Sequence, residues 1–272
     1  MQSARGGYTI IEVMVVLAVG LVTFFAAIAL FAGKQGRTEF SQAMRDIDSK
    51  IQSVVNDVGV SQFPGASQYS CDTPSGVPVL TAVAAGVGTN EKCIFLGKAL
   101  QIVGDTDPRE LRIYTVLGSR LSRSGDPPTT YNFDNSTGVN PEAIMGQGNQ
   151  DDLTETYLLP FGVSIVSVNS YRDPGTTSLT ALVGFYNSLQ SSGSTEQGGQ
   201  SLVTLGYIDF PTNDVATLQL RQTINGNGPY TYQRIRSWTI CFRSGTSSET
   251  ARLAVNASFA GINTKLAFES CT

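Results

Sequence analysis

The side chains able to do chemistry in this chain are carboxylates and cysteines, because its 272 residues include no histidine. A Ser-His-Asp triad, an HExxH zinc site and a Cys-His pair all need imidazole and are excluded. The sequence also lacks a Walker A loop, a G-x-S-x-G elbow and a C-x-x-C pair, and "GQGNQ" at 146–150 is too short and loop-like for a dinucleotide fingerprint. What remains to an enzyme is carboxylate-only chemistry such as glycoside hydrolysis. The expectation is a protein that is not an enzyme, with no catalytic residue, no cofactor and no metal site.

Two acidic stretches offer oxygen ligands. "GDTDPREL" at 104–111 reads as a calcium loop or, more simply, as a turn in which Asp107 caps and Pro108 takes the first turn position. In "NQDDLTE" at 149–155, Asp151, Asp152 and Glu155 read as a metal cluster or as a solvated loop. Tyr230, Tyr232 and Trp238 alternate along one strand face, as a ligand platform or, more simply, as core or cross-strand packing. Asn135 and Asn256 begin sequons, a pattern that often arises by chance.

Cys71, Cys93, Cys241 and Cys271 are widely spaced, which suits disulfides in an oxidising compartment better than a metal cluster. Three pairings are possible, besides free thiols. The local one, Cys71 to Cys93 and Cys241 to Cys271, closes loops for which chain entropy gives about 3 to 4 kcal/mol each. Charged residues are only 15% and the net charge is -4, so no basic footprint for nucleic acid is present and none is predicted as a partner.

The remaining carboxylate of interest is Glu12, inside the apolar run "YTIIEVMVVLAVG". At membrane depth a charge costs about 2.5 to 3.5 kcal/mol on insertion scales and marks a function by default. From Val13 to Ala32 the chain carries no charge, and these residues as a helix span about 30 Å, one hydrocarbon core. The run is too long for the apolar part of a cleaved secretory signal, and helical periodicity continues beyond it. Phe40, Met44, Ile47, Ile51, Val54, Val55 and Val58 recur at steps of three and four, the apolar face of an amphipathic helix. The spacing predicts one helix over 8–58, transmembrane at 8–32 and amphipathic at 33–58, with Gly20, Gly33 and Gly36 as the places where it bends.

Beyond "FPGASQ" the pattern changes to short β-branched and aromatic runs at 78–85, 92–103, 111–118, 161–171, 179–187, 202–210, 215–223, 230–243, 251–260 and 263–270. Most alternate in the manner of half-buried antiparallel strands. Residues 59–272 are thus expected to form a β-rich domain with loop insertions near 119–157 and 187–201. The expected fold class is α+β, a long N-terminal helix packed on a large antiparallel β-sheet domain.

At Gly7, Tyr8, Thr9, Ile10, Ile11 and Glu12, after the short leader "MQSARGG", the sequence resembles the class III signal of type IV pilins and pseudopilins. The resemblance covers about the first fifth of the chain and implies a type IV pilin-like fold. It also implies a leader at 1–7, cleavage between Gly7 and Tyr8 by a prepilin peptidase, N-methylation of Tyr8, and assembly through Glu12. The implied partners are other pilin subunits, the peptidase, an inner-membrane assembly platform, and the lipid membrane before assembly. Localisation would be single-pass in the inner membrane and then in an extracellular filament. A C-terminal disulfide is frequent in the family, and Cys241 with Cys271 would suit it. Basic residues follow the span at Lys34, Arg37 and Arg45 while only Arg5 precedes it, so an N-terminus in the cytoplasm comes from the resemblance and not from charge. Chain length favours a minor pilin or a large pseudopilin over a major pilin, and the reading taken is a minor pilin, with a major pilin or a type II secretion pseudopilin as the alternatives. The rival classes are a membrane-anchored carbohydrate-binding module and a membrane-anchored carboxylate enzyme.

Overall fold

The computed structural model describes residues 8–60, 69–73, 78–82, 92–103, 108–119, 142–144, 153–170, 180–187, 203–209, 233–258 and 261–271. One unbroken helix, α1, runs from Ile10 to Gly59 and is about 75 Å long. It passes through Gly20, Gly33 and Gly36 without losing its hydrogen bonding, and it ends where Val60 N–H donates back to Asn56 O at 2.9 Å. The predicted steps of three and four identify its buried face: Phe40, Ala43, Met44, Ile47, Ile51, Val54, Val55 and Val58.

Among the described residues thirteen antiparallel strands follow: β1 (Tyr69–Asp72), β2 (Val79–Ala82), β3 (Cys93–Val103), β4 (Glu110–Ser119), β5 (Glu142–Ile144), β6 (Thr154–Leu158), β7 (Ser164–Ser170), β8 (Thr180–Asn187), β9 (Val203–Asp209), β10 (Gln233–Arg234), β11 (Ser237–Arg243), β12 (Thr250–Ser258) and β13 (Gly261–Ala267). β1 and β2 form a hairpin-like pair. A seven-stranded sheet runs β10-β9-β8-β3-β4, and the outer edge of β4 is shared end to end by β5, at Thr115–Leu117, and β6, at Glu110–Tyr114. A four-stranded sheet runs β13-β12-β11-β7. The protein is therefore α+β, with an N-terminal helix and antiparallel sheets.

Both large sheets and the helix share one core. The helical face meets Leu100, Ile102, Leu111, Ile113 and Phe185 from the larger sheet, and Trp238, Ile240, Phe242, Leu253 and Val255 from the smaller. Residues two apart along β11 and β12 point the same way, which is why the sequence alternates there. In β7 strict alternation fails: Ile165 and Val168 both face the core although they are three apart. A bulge restores the phase, since Cys241 pairs with Ser167 but Phe242 pairs with Ile165, leaving Val166 extra. Two ion pairs fasten the helix further, Lys98 Nζ to Asp57 Oδ2 and Lys50 Nζ to Glu155 Oε1, each at 2.5 Å.

The stretch expected as a loop insertion at 119–157 needs correction. It contributes β5 and β6, which pair with β4. β5 is only three residues long and β6 is a polar, threonine-rich segment, so neither carried a strand signal; the exposed edge of β4 recruits them. β1 was not predicted either, and it pairs with β2 over all four residues. The expected strand at 215–223 and, beyond Asn187, the insertion at 187–201 lie outside the described residues.

Where the helix leaves the domain, the turn between β11 and β12 closes on it. Ser244 Oγ accepts from Thr246 N at 3.2 Å and Ser247 N at 3.1 Å, and Ser244 N donates to Glu249 O at 2.9 Å. Gly36 abuts Thr246, and Arg37 pairs with Glu249 at 3.2 Å. Gly245 in turn lies on the 3-10 turn Pro160–Gly162, so close that a Cβ there would overlap the Gly162 carbonyl. Gly245→Ala is expected to cost about 1 to 3 kcal/mol, whereas Gly36→Ala meets only a movable hydroxyl and gains helix propensity, leaving stability nearly unchanged. Urea midpoints read from Trp238, the single tryptophan and fully buried, compare the two.

On the other face of the larger sheet, Tyr114 Oη donates to Gln101 Oε1 at 2.8 Å, both side chains being buried. Burial raises the Tyr114 pKa, an effect partly offset by Arg112. The unfolded chain therefore loses its phenolic proton first, so this contribution is complete below about pH 10 and falls as pH rises above it. Tyr114→Phe should flatten that alkaline loss relative to the parent protein. At neutral pH it should cost about 1 to 3 kcal/mol by leaving Gln101 Oε1 without its donor.

Candidate functional site

The region that stands apart is the front of α1. Ile10–Ile28 is long and apolar enough to cross a membrane, and none of it is buried in the fold. Ile10 is 81% exposed, Val16 70% and Phe25 63%, so aliphatic and aromatic side chains face outward on every side of the helix. An all-round apolar helix is stable when it is surrounded by lipid or other protein, not water. Its one internal hydroxyl is satisfied within the helix: Thr23 Oγ1 donates to Val19 O and Gly20 O, each at 3.0 Å.

At the head of this segment Thr9 is the N-cap, in extended conformation, and Glu12 is the third helical residue. Glu12 N donates to Thr9 Oγ1 at 3.3 Å, and Thr9 N and Oγ1 each donate to Glu12 Oε2 at 3.2 Å. This is a capping box, which satisfies two of the amide donors that every helix start leaves open. It also folds the carboxylate back toward the first turn, where the helix dipole favours negative charge. The charge thus sits at the end of the apolar segment rather than within it, next to the backbone of Tyr8, a residue 84% exposed.

What the sequence reading missed is that Thr9 caps the helix. Its signal was present, since Thr9-Ile10-Ile11-Glu12 fits the pattern [ST]-x-x-[DE] ahead of an apolar run.

The other candidates separate. Cys71 is bonded to Cys93 and Cys241 to Cys271, with Cα atoms 6.1 and 5.9 Å apart; the first bridge ties β1 to the start of β3 and the second ties the C-terminal segment to β11. Of the 104–111 stretch, Pro108 O accepts from Ile165 N and Arg109 O from Leu159 N, both at 2.8 Å, while Glu110 pairs with Arg112. That turn is therefore a seam between the two large sheets. Glu155 lies on β6 facing Lys50, and Asp107, Asp151 and Asp152 lie outside the described residues. Among the described residues no three carboxylates or cysteines gather as a metal-binding group. Trp238 is wholly buried, which removes it from any ligand platform; Tyr230, Tyr232, Asn135 and Gly7 lie outside the described residues. Asn256 is half-buried on β12, opposite Asn263 and Ser237.

Comparison of the chain with protein-family models, with curated proteins and with solved structures finds no match. The class that fold and site define is an α+β protein with one N-terminal helix of membrane-spanning length and apolarity. The second half of that helix is built into a disulfide-tied antiparallel β domain.

Thr9→Ala is expected to lose about 1 kcal/mol of first-turn stability and to speed amide exchange at Glu12 about fivefold. Glu12→Gln keeps the cap, because Gln serves equally at the third position, and should leave that exchange rate close to the parent's.

Proposed function

We propose that this chain is a structural subunit, a minor pilin, of a type IV pilus or related filament. The observation that carries the reading is an apolar helix with none of its residues buried, Ile10–Ile28, headed by a capped carboxylate and placed directly after the Gly7-Tyr8 junction. A prepilin peptidase would cut after Gly7 and methylate the new amine on Tyr8. Before assembly the apolar half of α1 spans the inner membrane; afterwards it packs against the same segment of neighbouring subunits, and the β domain faces the exterior for adhesion or partner contacts.

Physical chemistry gives Glu12 its part in this. Cleavage creates an α-amine of ordinary pKa about 8, a cation at the edge of an apolar core. Glu12 Oε2 already holds the amide of Thr9, one residue from that amine, so the carboxylate is oriented toward the place where the cation appears. Within a filament the same charge can neutralise the amine of its own chain or of the neighbour. Removing one member of such a desolvated pair costs several kcal/mol, because the other is left uncompensated. The subunit itself does no catalysis and binds other subunits, the peptidase and the assembly platform.

Three variants test this by N-terminal mass and by the yield of sheared filaments. Gly7→Ala should block processing. Glu12→Gln, with the cap retained and the charge lost, should be cleaved and fail to assemble. Thr9→Ala, with the charge retained and the cap weakened, should be cleaved and still assemble. Normal filament yield from Glu12→Gln would sink the counter-ion role, and normal yield from both Gly7→Ala and Glu12→Gln would sink the proposal.

A further inference from the structure

A cleft of about 400 Å³ opens where α1 leaves the β domain, between the helix, the β11–β12 turn and the C-terminal segment. Its walls carry Arg37 and Ser41 from the helix, Glu249 and Ser248 from the turn, and Phe268 and Glu269 from the segment after β13. The Phe268 ring stands edge-on to Phe40 with centroids 6.0 Å apart and remains 53% exposed. Arg37 is 80% exposed and uses its Nε toward Glu249; among the described residues its guanidinium has no other partner. Glu269 is held by Arg252 at 3.3 Å, and Ser41 and Ser248 present hydroxyls without partners among the described residues.

The depth of this cleft follows from the helix. The uncharged run ends at Gly33, before Lys34, and Arg37 lies about 6 Å further along the axis. The headgroup layer extends about 5 to 7 Å beyond the hydrocarbon on each side of a bilayer. Arg37 and the mouth of the cleft therefore stand at headgroup level when Ile10–Ile28 and the residues after it span a membrane, with an exposed aromatic ring beside them, as at membrane interfaces generally.

We infer that the cleft holds the zwitterionic headgroup of an ethanolamine phospholipid, a partner that rests on the membrane-anchored stage of the proposed function. The phosphate has Arg37 as its bidentate donor, and the ammonium has Glu249 as a charged acceptor and the Phe268 face as a cation–π surface. Choline is a bulkier cation without N–H donors, and a glycerol headgroup leaves Glu249 facing net negative charge. The lining thus distinguishes ethanolamine from both. Interactions at this exposure are modest, so the discrimination is about threefold to fivefold rather than absolute.

The test uses the full chain in nanodiscs containing equal parts of phosphatidylethanolamine, phosphatidylcholine and phosphatidylglycerol, with retained lipids identified by native mass spectrometry. The parent protein should retain phosphatidylethanolamine about threefold to fivefold over the other two. Glu249→Gln, which frees Arg37 and removes the ammonium acceptor, should shift retention toward phosphatidylglycerol, and Phe268→Ala should weaken retention of phosphatidylethanolamine; unchanged Trp238 emission shows the fold intact in both. Equal retention of the three lipids by the parent, or a preference unmoved by Glu249→Gln, overturns the headgroup assignment alone. A chain that does not enter nanodiscs overturns the membrane-anchored reading and this inference with it.

Discussion

Phe40, Met44, Ile47, Ile51, Val54 and Val58 return to one side of a single helix, and both large sheets close over that side. Full burial of each such side chain contributes about 1.5 to 3 kcal/mol, so the contact is large enough to fix where the helix sits. Everything upstream depends on it. Because the second half of α1 is anchored in the core, the first half cannot fold back to hide its own apolar surface, and Ile10–Ile28 is left unburied. One continuous helix thus has two environments. The boundary between them is marked by Gly36 against Thr246 and Arg37 against Glu249.

The same constraint gives meaning to the front of the helix. Glu12 is the single carboxylate in an otherwise apolar segment, and as an isolated charge it would be costly in lipid. The capping box resolves part of that cost through local hydrogen bonds and the helix dipole. It does not require a carboxylate, since an amide would cap as well. What the charge adds is a partner for a cation, and under the proposed processing that cation is the amine of Tyr8. Cap and counter-ion are compatible because one oxygen faces the Thr9 backbone and hydroxyl, leaving the group oriented toward the start of the chain.

Much of this was legible in the sequence because it is periodic and local. The helical face was readable from steps of three and four, and most strands from alternation. Features that depend on distant pairing were not. Thr154–Leu158 has no strand pattern of its own and becomes β6 because β4 offers an unpaired edge. The phase shift in β7 arises from a bulge against β11, invisible without the partner strand. Alternation cannot say which face of a strand is inside, so Trp238 read as a platform residue or as core packing, and its full burial settles it as core. The cap at Thr9 was legible, since capping is local and Thr9 stands three residues before Glu12 at the head of an apolar run. The turn that clasps α1 at Gly36 has no sequence signal, because it unites residues some two hundred positions apart.

The proposed role of Glu12, as counter-ion of an amine made by cleavage at Gly7, requires that the cleavage occur. The most direct measurement is the N-terminal mass of the native protein isolated from its producing cell. The account predicts a chain that begins at Tyr8 and carries one methyl group on its amine. A chain that keeps Met1, or one that begins near Gly33 after loss of the whole apolar segment, would contradict it.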